Sequence, residues 1–110
     1  MPHYLKQYDQ VELRWRTSVD LSEADSVRLL VSSAVRPATP IIDKIVDVDP
    51  SDPEVIVAVL TTEETATPGR YLVEFETVWP DGQVVTIPDR GYEKLTILAD
   101  LGGIEEESES

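Results

Sequence analysis

Few side chains in this sequence could act as a catalytic acid, base or nucleophile. There is no cysteine, and the single histidine, His3, stands close to the N-terminus, where we expect a flexible arm. Without a histidine placed to activate them, the serines and threonines cannot form a nucleophilic triad. The five glycines are scattered among turns and form no phosphate-binding loop. The sequence therefore predicts a protein that is not an enzyme and that binds no cofactor.

Acidic side chains crowd one predicted turn and are the residues best placed to hold a metal ion. The candidate ligands are Asp47, Asp49 and Asp52, with Asp43 and Glu54 close by in the sequence. Hard oxygen ligands in a turn can bind Ca²⁺, which takes roughly six to eight of them. The spacing does not fit an EF-hand loop, because the glycine of its sharp bend is missing. Since a chain with 22 acidic residues forms such clusters by chance, we predict a solvated acidic surface and no metal.

The charge of the chain limits its partners. Nine basic residues face 22 acidic ones, so the net charge is −13. Such a surface repels a phosphate backbone, and nucleic acid is excluded as a partner. The acidity could serve solubility, or it could be an adaptation to molar salt, which screens charges over a few ångströms. Only Lys6, Lys44 and Lys94 are lysines and the other bases are arginines, which favours the halophilic interpretation.

The distribution of apolar residues excludes a membrane-spanning helix. No apolar stretch approaches the roughly 18 residues that such a helix needs. Residues 1–6 also lack the apolar region of a signal peptide. We therefore expect neither a membrane partner nor a classical secretion signal.

Apolar residues recur at every second position along most of the chain, which is the period of β-strands. The predicted strands cover residues 11–16, 26–31, 41–48, 55–60, 71–79, 83–87 and 92–98. Turn residues separate them, and the clearest turn is Asp81-Gly82, whose glycine supplies the positive φ of a short hairpin. Trp15, Tyr71 and Phe75 fall on the inward phase of their strands. About seven short strands at regular spacing predict an all-β, antiparallel β-sandwich.

The chain has room for one domain. We predict that residues 10–99 form the sandwich and that residues 1–9 form an N-terminal arm. Residues 100–110 are acidic and lack the apolar content that would order them, so they are predicted to be a flexible tail.

Five residues are predicted to bind a partner. Tyr4, Leu5 and Tyr8 lie in an arm without a strand pattern, and we expect this arm to dock on a neighbouring subunit. Trp79 and Tyr92 lie at predicted turns, where aromatic side chains often anchor interfaces. Trp79 also shares the inward phase of its strand, and a place in the core is the favoured interpretation for it.

The C-terminal half carries motifs that resemble those of a known family. These motifs are Thr-Ala-Thr-Pro-Gly-Arg-Tyr-Leu-Val-Glu-Phe-Glu at 65–76, Trp-Pro-Asp-Gly at 79–82, Ile87-Pro88 and Gly91-Tyr92. With Val-Asp-Leu-Ser-Glu-Ala at 19–24, the chain resembles the N-terminal domain of the phage baseplate upper protein family over roughly residues 10–98. The resemblance implies an immunoglobulin-like β-sandwich that attaches to another virion protein.

The resemblance and the acidic body together lead to an expected function. We expect a virion structural protein of a tailed virus of a halophilic archaeon, made in the host cytoplasm. It would be an adaptor or decoration module in the neck, the tail or baseplate, or the capsid surface. Its partners would be other virion proteins, with multiple copies in a symmetric assembly. The alternative is a module that binds carbohydrate or the host-cell surface, for which Trp79 and Tyr92 would form the aromatic platform.

Overall fold

The computed structural model of the chain describes residues 3–35, 39–88 and 91–99. These ranges contain eight strands and no helix that could span a membrane. The strands are β1 His3–Lys6, β2 Val11–Arg16, β3 Ser26–Ser33, β4 Ile42–Asp49, β5 Asp52–Leu60, β6 Gly69–Val78, β7 Val84–Ile87 and β8 Glu93–Leu98. The predicted all-β class is confirmed. The predicted tail at 100–110 lies outside the described residues.

The strands form one curled sheet whose two halves pack as layers. The order is β1-β8-β6-β3-β4-β5-β2, and β7 pairs with β6 beside β8. Strand β4 belongs to both layers, because Ile42–Val46 pairs with β3 and Asp47–Asp49 pairs with β5. A register shift between Val48 and Asp49 marks an irregularity of the kind that bends a strand. The result is an immunoglobulin-like β-sandwich, in which every described strand pair except β1–β8 is antiparallel.

Alternate residues of each strand fill the space between the layers, as a period of two requires. The interior positions predicted for Trp15, Tyr71 and Phe75 are confirmed, since all three side chains are buried. Trp15 of one layer meets Phe75 of the other edge-on, with ring centroids 5.2 Å apart. This aromatic pair lies where the two layers meet and anchors β2 against β6.

The predicted Asp-Gly hairpin joins β6 to β7. Gly82 donates its N–H to the Trp79 carbonyl at 2.8 Å, and the Trp79 N–H donates to the Gln83 carbonyl at 3.0 Å. Gly82 has φ 85°, a conformation that glycine adopts without steric cost. The hairpin thereby sets the register of β7 on β6.

Strands β7 and β8 pair with the same edge of β6, one after the other. β7 faces Phe75–Val78 and β8 faces Gly69–Val73, so the two are collinear and form one interrupted strand. β1 pairs with the outer edge of β8 in parallel. No described strand pairs with the outer edge of β7. Half of this composite edge is therefore covered and half is open.

Candidate functional site

Residues 3–6 of the N-terminal segment form a strand of the sandwich, in contrast to the predicted arm without strand structure that docks on a neighbouring subunit. Leu5 is 7% exposed and belongs to the chain's own core, so its side chain is not available to a partner. His3 donates a hydrogen bond from Nε2 to the Arg14 carbonyl at 3.1 Å, and its ring lies 4.5 Å from that of Trp15. Four residues are too few to reveal a period of two. Their partner strand lies at the other end of the sequence, so local reasoning could not find the pairing.

Two of the predicted partner-binding residues are exposed in β1 or in the turn that follows it, at this edge of the sheet. Tyr4 has the opposite phase to Leu5 and is 67% exposed, opposite Thr96 of β8. Tyr8 is 50% exposed in the turn after β1, where its φ is 69°. Leu98, at the end of β8, is also exposed. We call Tyr4, Tyr8 and Leu98 the edge patch.

The other two predicted partner-binding residues differ in exposure. Trp79 is partly buried against the core and donates from Nε1 to the Thr77 hydroxyl at 3.0 Å, so it closes the β6–β7 hairpin. Tyr92 is exposed and lines a shallow pocket of about 570 Å³ with Glu74, Val84 and Thr86. The structure therefore leaves Tyr92 as the accessible member of the proposed aromatic platform.

The candidate metal ligands are largely engaged by arginines. Asp49 accepts hydrogen bonds from the N–H and hydroxyl of Ser51 and forms an ion pair with Arg14. Asp52 pairs with Arg16 at 2.6 Å. Because these hydrogen bonds favour the charged carboxylate, they lower the pKa of both aspartates, chiefly through Ser51 for Asp49 and through Arg16 for Asp52.

Asp47 is exposed and lies opposite Val57 of β5. Within the described part of the chain, no three histidine, cysteine or acidic side chains are grouped so as to hold a metal ion. The acidic turn is therefore an ion-paired surface that links the β4–β5 hairpin to β2.

A second arginine network lies on the outer face of the other layer, and sequence reasoning missed it. Arg28 of β3 binds both carboxylate oxygens of Asp43 on β4, at 2.5 and 2.6 Å, and Glu76 on β6 at 3.0 Å. These contacts lower the pKa of Asp43 and raise that of Arg28. The three residues are far apart in sequence, and only the strand order makes them neighbours.

The open flank of the sandwich contains a cavity of about 580 Å³, also missed from the sequence. We call it the flank cavity. Its apolar lining includes Trp15, Phe75 and Ile87, and its rim includes Arg16 and Thr86. The indole Nε1 of Trp15 is buried and has no hydrogen-bond partner among the described residues. A buried donor without an acceptor is uncommon and costs stability, so it marks a position where an acceptor is wanted.

No protein-family model and no curated protein matches the chain. Its fold is similar to that of CopC from Methylosinus trichosporium OB3b, with a TM-score of 0.57 and 11% sequence identity, over 89% of this chain and 84% of that protein. It is also similar to part of the catalytic module of the multi-modular glycogen-degrading pneumococcal virulence factor SpuA. There the TM-score is 0.52 and the identity 16%, over 74% of this chain and 11% of that one. At such identities the likeness shows the fold alone.

Proposed function

We propose that this chain is a non-catalytic structural module of a tailed-virus particle, an adaptor or decoration protein that binds other virion proteins in multiple copies. The observation that carries the proposal is the edge patch. Tyr4 and Tyr8 expose two aromatic rings at one edge of the sandwich, and Leu98 adds an apolar side chain there. Exposed tyrosines supply large contact area at low conformational cost, which suits protein interfaces.

The family resemblance supports the same role. The motif residues are structural rather than chemical: Asp81-Gly82 forms the β6–β7 hairpin, and Gly69 to Glu76 lies in the central strand β6. A family whose shared residues build a sandwich would use that sandwich as a scaffold. The place in the particle, whether neck, tail or baseplate, or capsid surface, depends on the partner.

The acidic surface supports a halophilic archaeal host. Asp43, Asp49 and Asp52 lie on outer surfaces and form ion pairs with arginines. The whole chain nevertheless keeps a net charge of −13, so most of its acidic side chains have no basic partner to balance them. Molar salt would screen the remaining repulsion. A domain of this kind should unfold at a higher temperature in molar KCl than in dilute buffer.

The proposed role is tested on purified particles of the source virus. Quantitative mass spectrometry should find the chain at a constant ratio to the major capsid protein, corresponding to several copies per particle. Chains carrying Tyr4→Ala and Tyr8→Ala together should be incorporated less, whereas the matched Tyr92→Ala chain should be incorporated normally. Absence of the chain from particles would refute the role.

The pocket beside Tyr92 favours a second function, the binding of carbohydrate or of the host-cell surface. An exposed aromatic ring beside the Glu74 carboxylate and the Thr86 hydroxyl offers a stacking face together with hydrogen-bonding groups. A glycan-binding screen with the isolated chain tests this alternative. Binding that Tyr92→Ala abolishes and Tyr4→Ala leaves intact would favour it over the virion role, and no binding to any glycan would exclude it.

A further inference from the structure

The composite edge strand has two halves, and only one of them is covered. β1 lies beside β8, with His3 opposite Leu95 and Lys6 opposite Leu98. The corresponding position beside β7 continues the line of β1 and is empty of described strands. The pairing of β1 with β8 therefore shows how an extended segment could lie beside β7.

The backbone of β7 is ready to pair with such a segment. The Trp79 N–H donates to the Gln83 carbonyl, so this residue pair is hydrogen-bonded across the β6–β7 ladder. Hydrogen-bonded and non-hydrogen-bonded pairs alternate along an antiparallel ladder, so Val85 and Ile87 are the β7 residues whose backbone groups form hydrogen bonds with β6. The N–H and C=O groups of Val84 and Thr86 therefore point away from β6. Unpaired groups of this kind on an edge strand are a template for a further strand.

The flank cavity lies beneath this open edge. Val85, Thr86 and Ile87 of β7 form one wall, and Trp15 and Phe75 contribute to its lining. In the covered half, the inward side chains of β1 pack into the interior: Leu5 joins the core and His3 contacts Trp15. Side chains entering beside β7 would meet the same indole from the other side.

We propose that the edge of β7 and the flank cavity bind an extended segment of another protein by strand addition. The segment spans at least the four residues of β7. It carries apolar side chains at alternate positions, which enter the cavity, and one of its backbone carbonyls is the oxygen acceptor for the Trp15 indole N–H. Basic residues flank it, since the chain that receives it has a net charge of −13. The inference deepens the proposed function, on which it rests, by naming how a neighbouring virion protein is held.

The test uses the isolated full chain and the peptide acetyl-Lys-Val-Thr-Leu-Thr-Val-Lys-amide. The control peptide has the same residues with its three apolar ones adjacent, so that charge and composition are unchanged. Two-dimensional NMR should show saturable shifts of the Val84 and Thr86 amides and of the Trp15 indole N–H with the first peptide. Shifts confined to other parts of the chain, or no saturation at millimolar peptide, would overturn the proposal.

A matched pair of variants tests the backbone contact. Thr86→Pro removes the N–H that points away from β6, whereas Thr86→Ala retains it. We expect about tenfold weaker peptide binding for the proline variant and unchanged binding for the alanine variant. Equal affinities of two folded variants would overturn the proposal, and if the proline variant does not fold, the shifts in the unaltered chain decide. If the peptide does not bind, the strand-addition site is refuted but the proposed role in the particle is not. If the chain is absent from particles, the proposed role is refuted but the strand-addition site is not.

Discussion

The two halves of the composite edge strand, β8 and β7, differ in what covers them. Both pair with β6 and both present inward apolar side chains to the same interior. Beside β8, a four-residue strand with one buried leucine completes the sandwich. Beside β7, the interior reaches solvent through the flank cavity. The edge of this β-sandwich is therefore closed by inward side chains as much as by backbone pairing.

The largest loss of stability is expected when a core residue beneath the covered half of the edge, rather than beneath the open half, is replaced by alanine. Leu95 of β8 is 1% exposed under β1, whereas Ile87 of β7 is partly buried at the cavity. Leu95→Ala should lower the free energy of unfolding by about 3 kcal/mol, because it leaves a cavity in a closed core. Ile87→Ala should cost about half as much, since one side of its environment is already open. Urea unfolding measures both, and equal losses would mean that the two halves are equally closed.

The second prediction concerns β1, the strand that covers β8 but not β7. Leu5→Ala should lower the free energy of unfolding by about 2 kcal/mol, because a buried leucine of a short edge strand is lost from the core. Tyr4→Ala, one residue away on the outer face, is the control and should cost less than about 0.5 kcal/mol. If the two variants were equally stable, β1 would not close its half of the edge.

The smallest effect is the decrease in melting temperature at acidic pH, which depends on the ion-paired aspartates of β4 and β5. Arginine and serine contacts lower the folded-state pKa of Asp43, Asp49 and Asp52 below the unfolded value of about 3.9. A carboxyl with a lowered pKa stabilises the fold above its unfolded pKa, and this contribution disappears as the pH falls through the folded value. The melting temperature should therefore decrease as the pH falls below about 4.

The variant Arg28→Gln sharpens the acid prediction. It removes the partner of Asp43 and should flatten the decrease, while Arg70→Gln, for which no described ion pair is found, serves as the control. None of the described ion pairs involves β7, so Thr86→Ala on β7 should leave the pH dependence of the melting temperature unchanged. A melting temperature independent of pH would contradict the stabilising role of these contacts.

Much of the sandwich could be predicted because its signals are local. Alternation placed Trp15, Tyr71 and Phe75 inside, and Asp81-Gly82 specified a hairpin through the positive φ of glycine. Tyr4 and Tyr8, predicted to bind a partner from an arm, are exposed in a strand and in the turn that follows it. The prediction for Leu5 was wrong, since four residues cannot display a period and their partners on β8 lie 92 positions later in the sequence, from the pair His3–Leu95 to the pair Lys6–Leu98.

By itself, the sequence determined the all-β class, the inward and outward phases of the long strands and the acidic character of the surface. These follow from side-chain period, turn chemistry and charge, which act between near neighbours or over the whole chain. Only the tertiary structure decided that β1 joins β8, that Arg28 bridges Asp43 and Glu76, and that Trp15 borders an open cavity. Each of these depends on strand order and register, which arise when distant segments pack together and are not encoded in any local pattern.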